Sequence, residues 1–260
     1  MVKTQQHENG ILELSISTPP VNLMDIETLV ALKDFIDNAK RNQTRGIVIS
    51  GQPGFFSSGI DIFNLTRGDE ELVKNYWHAV FQLATSMAQT PVPIVAAITG
   101  HCIASGTLIA AFSDYRIIGN GNWNIGLNEV QAGITLPECF QMAIRRIVGP
   151  HRAATMLMFG DLFSPQQALE IGFVDEVVAM ESVRPRALER LNSLLRLPAD
   201  CLQSIRRMNR SDLQQQFAEP AKLPVTPFIN QFLSTEVQNN LRRIALELQQ
   251  RMKARHAETC

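Results

Sequence analysis

Glu129 stands in GLNEV (126–130), ahead of the equally uncharged QAGI, so one carboxylate is set among apolar and neutral neighbours. Taking a carboxylate out of water lifts its pKa toward the range useful to a general acid or base. Most glutamates are solvated surface charges, and spacing alone leaves that reading open too. Two further stretches carry backbone groups suited to meeting negative charge. FFSSGID (55–61) reaches Gly59, where the missing Cβ lets the chain turn sharply or a ligand come close, with the Ile60 amide aimed into a cleft. In IASGTLIAAF (103–112), small residues precede an apolar helix whose first amides, near Ser105 and Gly106, lack intrahelical acceptors. Two such amides side by side would make an oxyanion hole for an enolate or a tetrahedral oxygen. Taken singly, the two stretches read equally as a plain turn and a tightly packed helix start.

Other chemistries have less support. There is no H-E-x-x-H, Walker loop or G-x-S-x-G, and GNGNWNIG (119–126) lacks the G-x-G-x-x-G register. None of the five histidines pairs with a cysteine or carboxylate at metal-ligand spacing. Ser105 with His101 nearby leaves a serine hydrolase as an alternative, without an evident acid partner. RRMNR (206–210) with Arg242, Arg243, Arg251, Lys253 and Arg255 leaves an RNA- or CoA-ester-binding scaffold, although basic residues on amphipathic helices usually form solvated faces.

The elements that must hold these residues are those of an α/β protein. ILELSIS (11–17) alternates like a half-buried strand, while GIVIS (46–50) and PIVAAIT (93–99) are unbroken apolar runs suited to strands buried on both faces. A helical pattern runs from Ile26 to Ile36 and another spans 70–88; YRIIG (115–119) and DEVV (175–178) are further strand candidates. After Pro137 the chain turns mostly helical, with Ser164 and Pro165 as a helix start. LPAD (197–200) reads as a hinge before a helical tail that the prolines at 220, 224 and 227 should break. The expected division is a core over 1–196 and a helical region over 197–260. In the last helix Val237, Leu241, Ile244, Leu248 and Met252 form one apolar stripe, to be covered by its own domain or by another subunit. No internal repeat is visible.

With 260 residues, 45% of them hydrophobic, the chain can bury a large core. Its 24 basic residues against 25 acidic ones give no overall field to draw nucleic acid or a membrane surface. Cys102, Cys139, Cys201 and Cys260 show no C-x-x-C spacing and read as reduced thiols. The polar start MVKTQQHENG resembles no signal peptide, so a cytoplasmic location is expected, although a processed organellar protein would read the same.

FFSSGID, PIVAAITGHCIASG, SDYRI and GLNEVQAGI, in that order and separation, resemble the crotonase (enoyl-CoA hydratase/isomerase) superfamily, and the likeness continues through GPHRAATMLMFGDLFSPQQALEIGFVDEVV (149–178). The resemblance implies a spiral of ββα units with a C-terminal helical trimerisation region, a homotrimer or dimer of trimers, acyl-CoA substrates, and no cofactor beyond the coenzyme A of the substrate. It assigns the oxyanion-hole amides to Ile60 and Ser105, where many relatives have glycine in place of the serine. Ser58, Gly59, Ile60, Asp61 and Ile62 would run beside the thioester and pantetheine. The two glutamates of the family's hydratases fall on Leu108 and Glu129, so one of them is an aliphatic residue here. That pattern is most similar to the mitochondrial-type Δ3,Δ2-enoyl-CoA isomerases, which keep only the later glutamate. The expected activity is therefore migration of a 3-enoyl-CoA double bond to the 2-trans position, as in fatty acid β-oxidation, with Glu129 as acid/base. A hydratase or other thioester-enolate enzyme using Glu129 with Glu138, which follows Pro137, is the alternative.

Overall fold

The structure, a computed structural model, describes residues 1–67 and 69–259, of which 251–259 by backbone alone. Its polar start forms strand β1 (Val2–Gln6), antiparallel to β2 (Ile11–Ile16). Lys3 to Gln6 are exposed: an edge strand is held by backbone pairing on one side, so no apolar alternation announces it. After β3 (Leu23–Met24), Asp25 caps α1 (Ile26–Asn38) by accepting the Thr28 N–H, and Leu29, Leu32 and Ile36 turn inward.

A spiral follows. Its first turn comprises β4 (Gly46–Ser50), β5 (Gly54–Ser57), β6 (Gly59–Ile60), the single-turn α2 (Ile62–Leu65) and α3 (Glu70–Gln89). The second comprises β7 (Ile94–Ile98), β8 (Gly100–Ile103) and α4 (Ser105–Phe112). The third comprises β9 (Tyr115–Gly119), β10 (Ile125–Gly126), a 3-10 turn over Glu129–Ala132, α5 (Glu138–Val148) and α6 (Pro150–Phe159). The chain continues through β11 (Leu162–Phe163), α7 (Pro165–Glu170), β12 (Glu176–Val178) and α8 (Val183–Leu195). Ser164 starts α7 as expected, with a full capping box to Gln167.

Among the described residues each turn lays one strand in a larger sheet, ordered β1-β2-β4-β7-β9-β12, and one in a smaller sheet, ordered β11-β10-β8-β5. From β2 to β12 the larger sheet is parallel. Every residue of β4 and β7 is buried, which is why GIVIS and IVAAI carry no polar alternation. The ββα unit thus repeats in space without a repeat in sequence.

The tail consists of α9 (Ala199–Asn209), α10 (Ser211–Gln216), α11 (Val225–Phe232) and α12 (Thr235–Thr259). Asp114 anchors its start, accepting from Arg206 Nε at 2.9 Å and Arg210 Nη1 at 3.2 Å. Arg206 also donates to Thr90 O, and Arg210 to Met87 O and Phe112 O. Both guanidinium groups are therefore buried in ion pairs, so of the three arginines in RRMNR only Arg207 faces solvent. Farther on, Trp77 of α3 meets Phe228 and Phe232 of α11 edge-on, with ring centroids 4.6 and 5.1 Å apart. Pro220 opens a 3-10 turn and Pro224 precedes α11, but Pro227 lies in the first turn of that helix, where no intrahelical N–H bond is lost. The apolar stripe of α12 divides: Val237 and Leu241 are buried against their own chain, Ile244 is half-buried, Leu248 is exposed, and the Met252 side chain lies outside the described residues.

Candidate active site

Three segments distant in sequence meet at the start of α4. Strand β10 lies parallel to β8 with Gly126 opposite Ile103, and the Ala104 N–H donates to Gly126 O at 3.0 Å. The Thr107 hydroxyl, one turn into α4, donates to Cys102 O at 2.6 Å and accepts the Gly126 N–H at 3.2 Å. The GLNE segment is thereby pinned to the first turn of the helix. On the other side a Cβ added at Gly59, whose φ is +91°, would lie 2.9 Å from the Ala104 Cβ, so β6 comes this close to α4 only because the residue is glycine.

Ala104 itself holds φ 52° and ψ −116°, a conformation that residues with a Cβ rarely adopt, and it is kept there by its bond to Gly126 and by the Leu108 N–H donating to its carbonyl. Ser105 then begins α4, so its N–H has no acceptor within the helix. Ile60 follows Gly59 directly. Residues 60 and 105 thus each stand one step from the Gly59–Ala104 contact, and Glu129 stands three steps from the Gly126–Ala104 hydrogen bond.

Glu129 begins the 3-10 turn that Gly133 ends at φ 77°. The residue is half-buried as a whole, but its Oε2 is shut off from solvent and has no hydrogen-bond partner. Burial pushes its pKa up to about 7, offset in part by its own backbone N–H. Leu127, Ala132, Ile134 and Leu136, its neighbours in the chain, are all buried. A carboxylate in this state exchanges protons near neutrality.

The other expected site residues sort cleanly. Ser58, Asp61 and Ile62 flank β6 half-buried; the Ser58 N–H donates to Val21 O, and Asp61 caps α2 by accepting the Asn64 N–H. Leu108 is buried one turn beyond Ser105 and lines, with Leu29, Val80, Leu83 and Met87, an apolar cavity of about 20 Å³, room for roughly one water. Glu138 does not join the site. It begins α5 exposed to solvent and is ion-paired with Arg145 of the same helix, because the turn after Pro137 points the first residue of α5 outward. His101 offers its Nδ1 to the Asn124 N–H at 3.0 Å and packs against Phe55 and Trp123, which leaves Ser105 without the base a hydrolase would need from it. No group of three or more potential metal-binding side chains occurs among the described residues.

Asn22 is a positioning residue that the sequence reading missed. Fully buried at φ 53°, it donates from Nδ2 to Ile16 O (3.0 Å) and Phe55 O (2.8 Å) and accepts the Thr18 N–H (3.0 Å). It ties β5, which leads to Gly59, onto the end of β2. The one signal for it was an asparagine closing the turn TPPVN, since asparagine tolerates left-handed backbone.

Comparison with known proteins agrees with this geometry. Residues 6–250 match the family model described as enoyl-CoA hydratase/isomerase. The chain is 31% identical over 235 residues to human mitochondrial enoyl-CoA delta isomerase 1, covering 89% of this chain and 78% of that protein. It is 29% identical over 187 residues to a probable enoyl-CoA hydratase, EchA17, of Mycobacterium tuberculosis, covering 70% of each. Among solved structures, human mitochondrial delta3-delta2-enoyl-CoA isomerase superposes with a TM-score of 0.91 at 28% identity, over 96% of this chain and 98% of that one. The enoyl-CoA hydratase EchA3 of Mycobacterium ulcerans superposes at 0.79 and 26%, over 89% and 99%. The chain has the crotonase fold and belongs to the enoyl-CoA hydratase/isomerase family.

Proposed function

We propose that this protein is an enoyl-CoA isomerase that converts 3-enoyl-CoA into 2-trans-enoyl-CoA. One observation carries the reading: among the described residues one carboxylate, that of Glu129, has an oxygen shut off from solvent without a hydrogen-bond partner, its segment is tied to the start of α4 through Gly126, and the position one turn into that helix is Leu108. Glu129 takes a proton from C2 of the substrate, and the electron pair passes through C1 onto the thioester oxygen to give a dienolate. The amides of Ile60 and Ser105 hold that oxygen. Glu129 then returns its proton to C4, moving the double bond from C3–C4 to C2–C3, with no net consumption of water or redox equivalents. The scheme parallels ketosteroid isomerisation, where one carboxylate works beside an oxyanion hole. Ser58 to Ile62 border the thioester, the reaction calls on no cofactor beyond the substrate's own coenzyme A, and the active form is a trimer or a pair of trimers.

Hydration asks for a second group to activate water. Leu108 cannot ionise, and Glu138 is solvated and paired with Arg145, so neither position supports the two-carboxylate alternative. Steady-state rates on matched 3-enoyl- and 2-enoyl-CoA substrates test the choice. Double-bond migration should exceed hydration by about 10² or more, the weight of one missing acid/base group. Faster hydration would overturn the assignment.

A further inference from the structure

Two hydroxyls beside the site have no use in the scheme above. Tyr76 of α3 is 2% exposed and Ser105 is 5% exposed, and neither the tyrosine hydroxyl nor the serine Oγ has a completed hydrogen bond. A buried hydroxyl left unpaired is costly, so such a pair is expected to serve a ligand or each other. The two are close enough to interact, and the Tyr76 hydroxyl also feels the charges of Asp61, the residue after Ile60, and of Asp25, the cap of α1.

The donor count decides what the pair can do. Elsewhere in this chain Ser113 and Thr85 discharge their hydroxyl protons onto carbonyls four residues back, at Ile109 and Phe81. Ser105 has no such outlet, because it is the first residue of its helix and the residue four back, His101, belongs to β8. If Tyr76 donates to Ser105 Oγ, the serine proton remains and needs an acceptor. Burial pushes the Tyr76 pKa well up, so that hydroxyl stays a neutral donor at any ordinary pH. The rest of the cavity that Ser105 lines offers aliphatic and aromatic side chains with no acceptor.

We propose that Tyr76 and Ser105 form a hydroxyl relay, Tyr O–H to Ser Oγ and Ser O–H to the thioester oxygen, which adds a third donor to the two backbone amides. The proposal rests on the oxyanion-hole reading. It assigns Ser105 a catalytic side chain as well as a catalytic amide, and Tyr76 the role of a positioning residue that acts through it. A third donor strengthens as charge grows on the oxygen, so it favours the dienolate over the neutral thioester.

The test uses the full chain with two probes: acetoacetyl-CoA, whose bound enolate is followed by its ultraviolet absorbance across a pH titration, and butyryl-CoA, which has no ionised form to stabilise. Ser105→Ala keeps the amide and removes the hydroxyl, and Tyr76→Phe keeps the ring. Each should weaken enolate binding about ten- to hundredfold while changing butyryl-CoA affinity by less than about twofold. The double variant should be no weaker than Ser105→Ala alone, and Ser105→Thr should retain the enolate. Retained butyryl-CoA binding also reports that a variant is folded, and Ser105→Ala suffices if Tyr76→Phe is not. Enolate titrations unchanged by either substitution, or equal losses for both probes, would overturn the relay. If the wild-type protein formed no bound enolate, the oxyanion-hole reading would fall and the relay with it.

Discussion

Two glutamates of this chain are shielded from water and have opposite fates. Glu13 on β2 is 2% exposed and fully engaged: Ser50 donates to its Oε1 at 2.9 Å, His7 Nε2 lies 2.9 Å from its Oε2, and Arg184 Nε pairs with Oε1. Burial pushes its pKa up, but Arg184, His7 and Ser50 outweigh it and hold the carboxyl below the usual glutamate range. Glu129 has the burial without the partners, and its pKa rises to about 7. Burial alone therefore says nothing about function. A satisfied buried carboxylate fastens α8 to the sheet, whereas the unsatisfied one is, in the function proposed above, the base.

Exchanging each charge for its neutral isostere is the sharpest way to break this comparison. Glu129→Gln should lower turnover of a 3-enoyl-CoA by about 10²–10⁴. The same change should leave melting unchanged near pH 4 and raise it near pH 8, where the native carboxylate is ionised at a cost. Glu13→Gln should do the reverse, costing about 1.5–3 kcal/mol of stability by removing the anion that Ser50, His7 and the half-exposed Arg184 share, while the folded fraction keeps its turnover. Chemical denaturation and steady-state rates on the same two variants read both effects. Similar losses of activity in both would erase the distinction.

The pH dependence carries opposite signs at the two sites. Folded Glu129 keeps its proton up to about pH 7, whereas the unfolded residue releases it near 4.5. The folded chain thus binds more protons in that window, and this residue removes about 3 kcal/mol of stability as pH rises from 4.5 to 7. The isomerase rate should climb through the same window as the base form appears. Folded Glu13 binds fewer protons than unfolded Glu13, so its contribution is present above about pH 4.5 and is lost as pH falls through its lowered folded value. Denaturation midpoints across pH 4–8 for wild type and both isosteres would separate the two slopes. As the smallest effect, Asp37→Asn should cost no more than about 0.5 kcal/mol, since its partner Lys33 sits on the same solvated face of α1.

Much of the frame was legible because burial on both faces leaves a continuous apolar run: GIVIS, IVAAI and YRIIG became β4, β7 and β9 where those runs stand. The two-residue strands β3, β6, β10 and β11 were invisible, being too short to show a period, yet β6 and β10 carry Gly59 and Gly126, the residues that meet Ala104 at the start of α4. Family resemblance, not spacing, singled out Glu129, and its unpaired oxygen became apparent only in three dimensions. Tyr76 could not be read from the sequence, since Ser105, the residue it is proposed to act through, lies 29 residues away, and Asn22 gave only its turn signal, since Phe55, whose carbonyl it donates to, lies 33 residues on. Arg206 and Arg210 looked like surface charge for the same reason, because Asp114 lies 92 and 96 residues before them.

The protonation state of Glu129 is measured most directly by carboxyl-carbon NMR of glutamate-labelled protein, with the Glu129→Gln variant identifying its resonance. The account predicts a titration centred near pH 7, well separated from the solvated glutamates. A midpoint near 4.5 would mean that water or a partner reaches the carboxylate, and a solitary buried base would no longer explain this site.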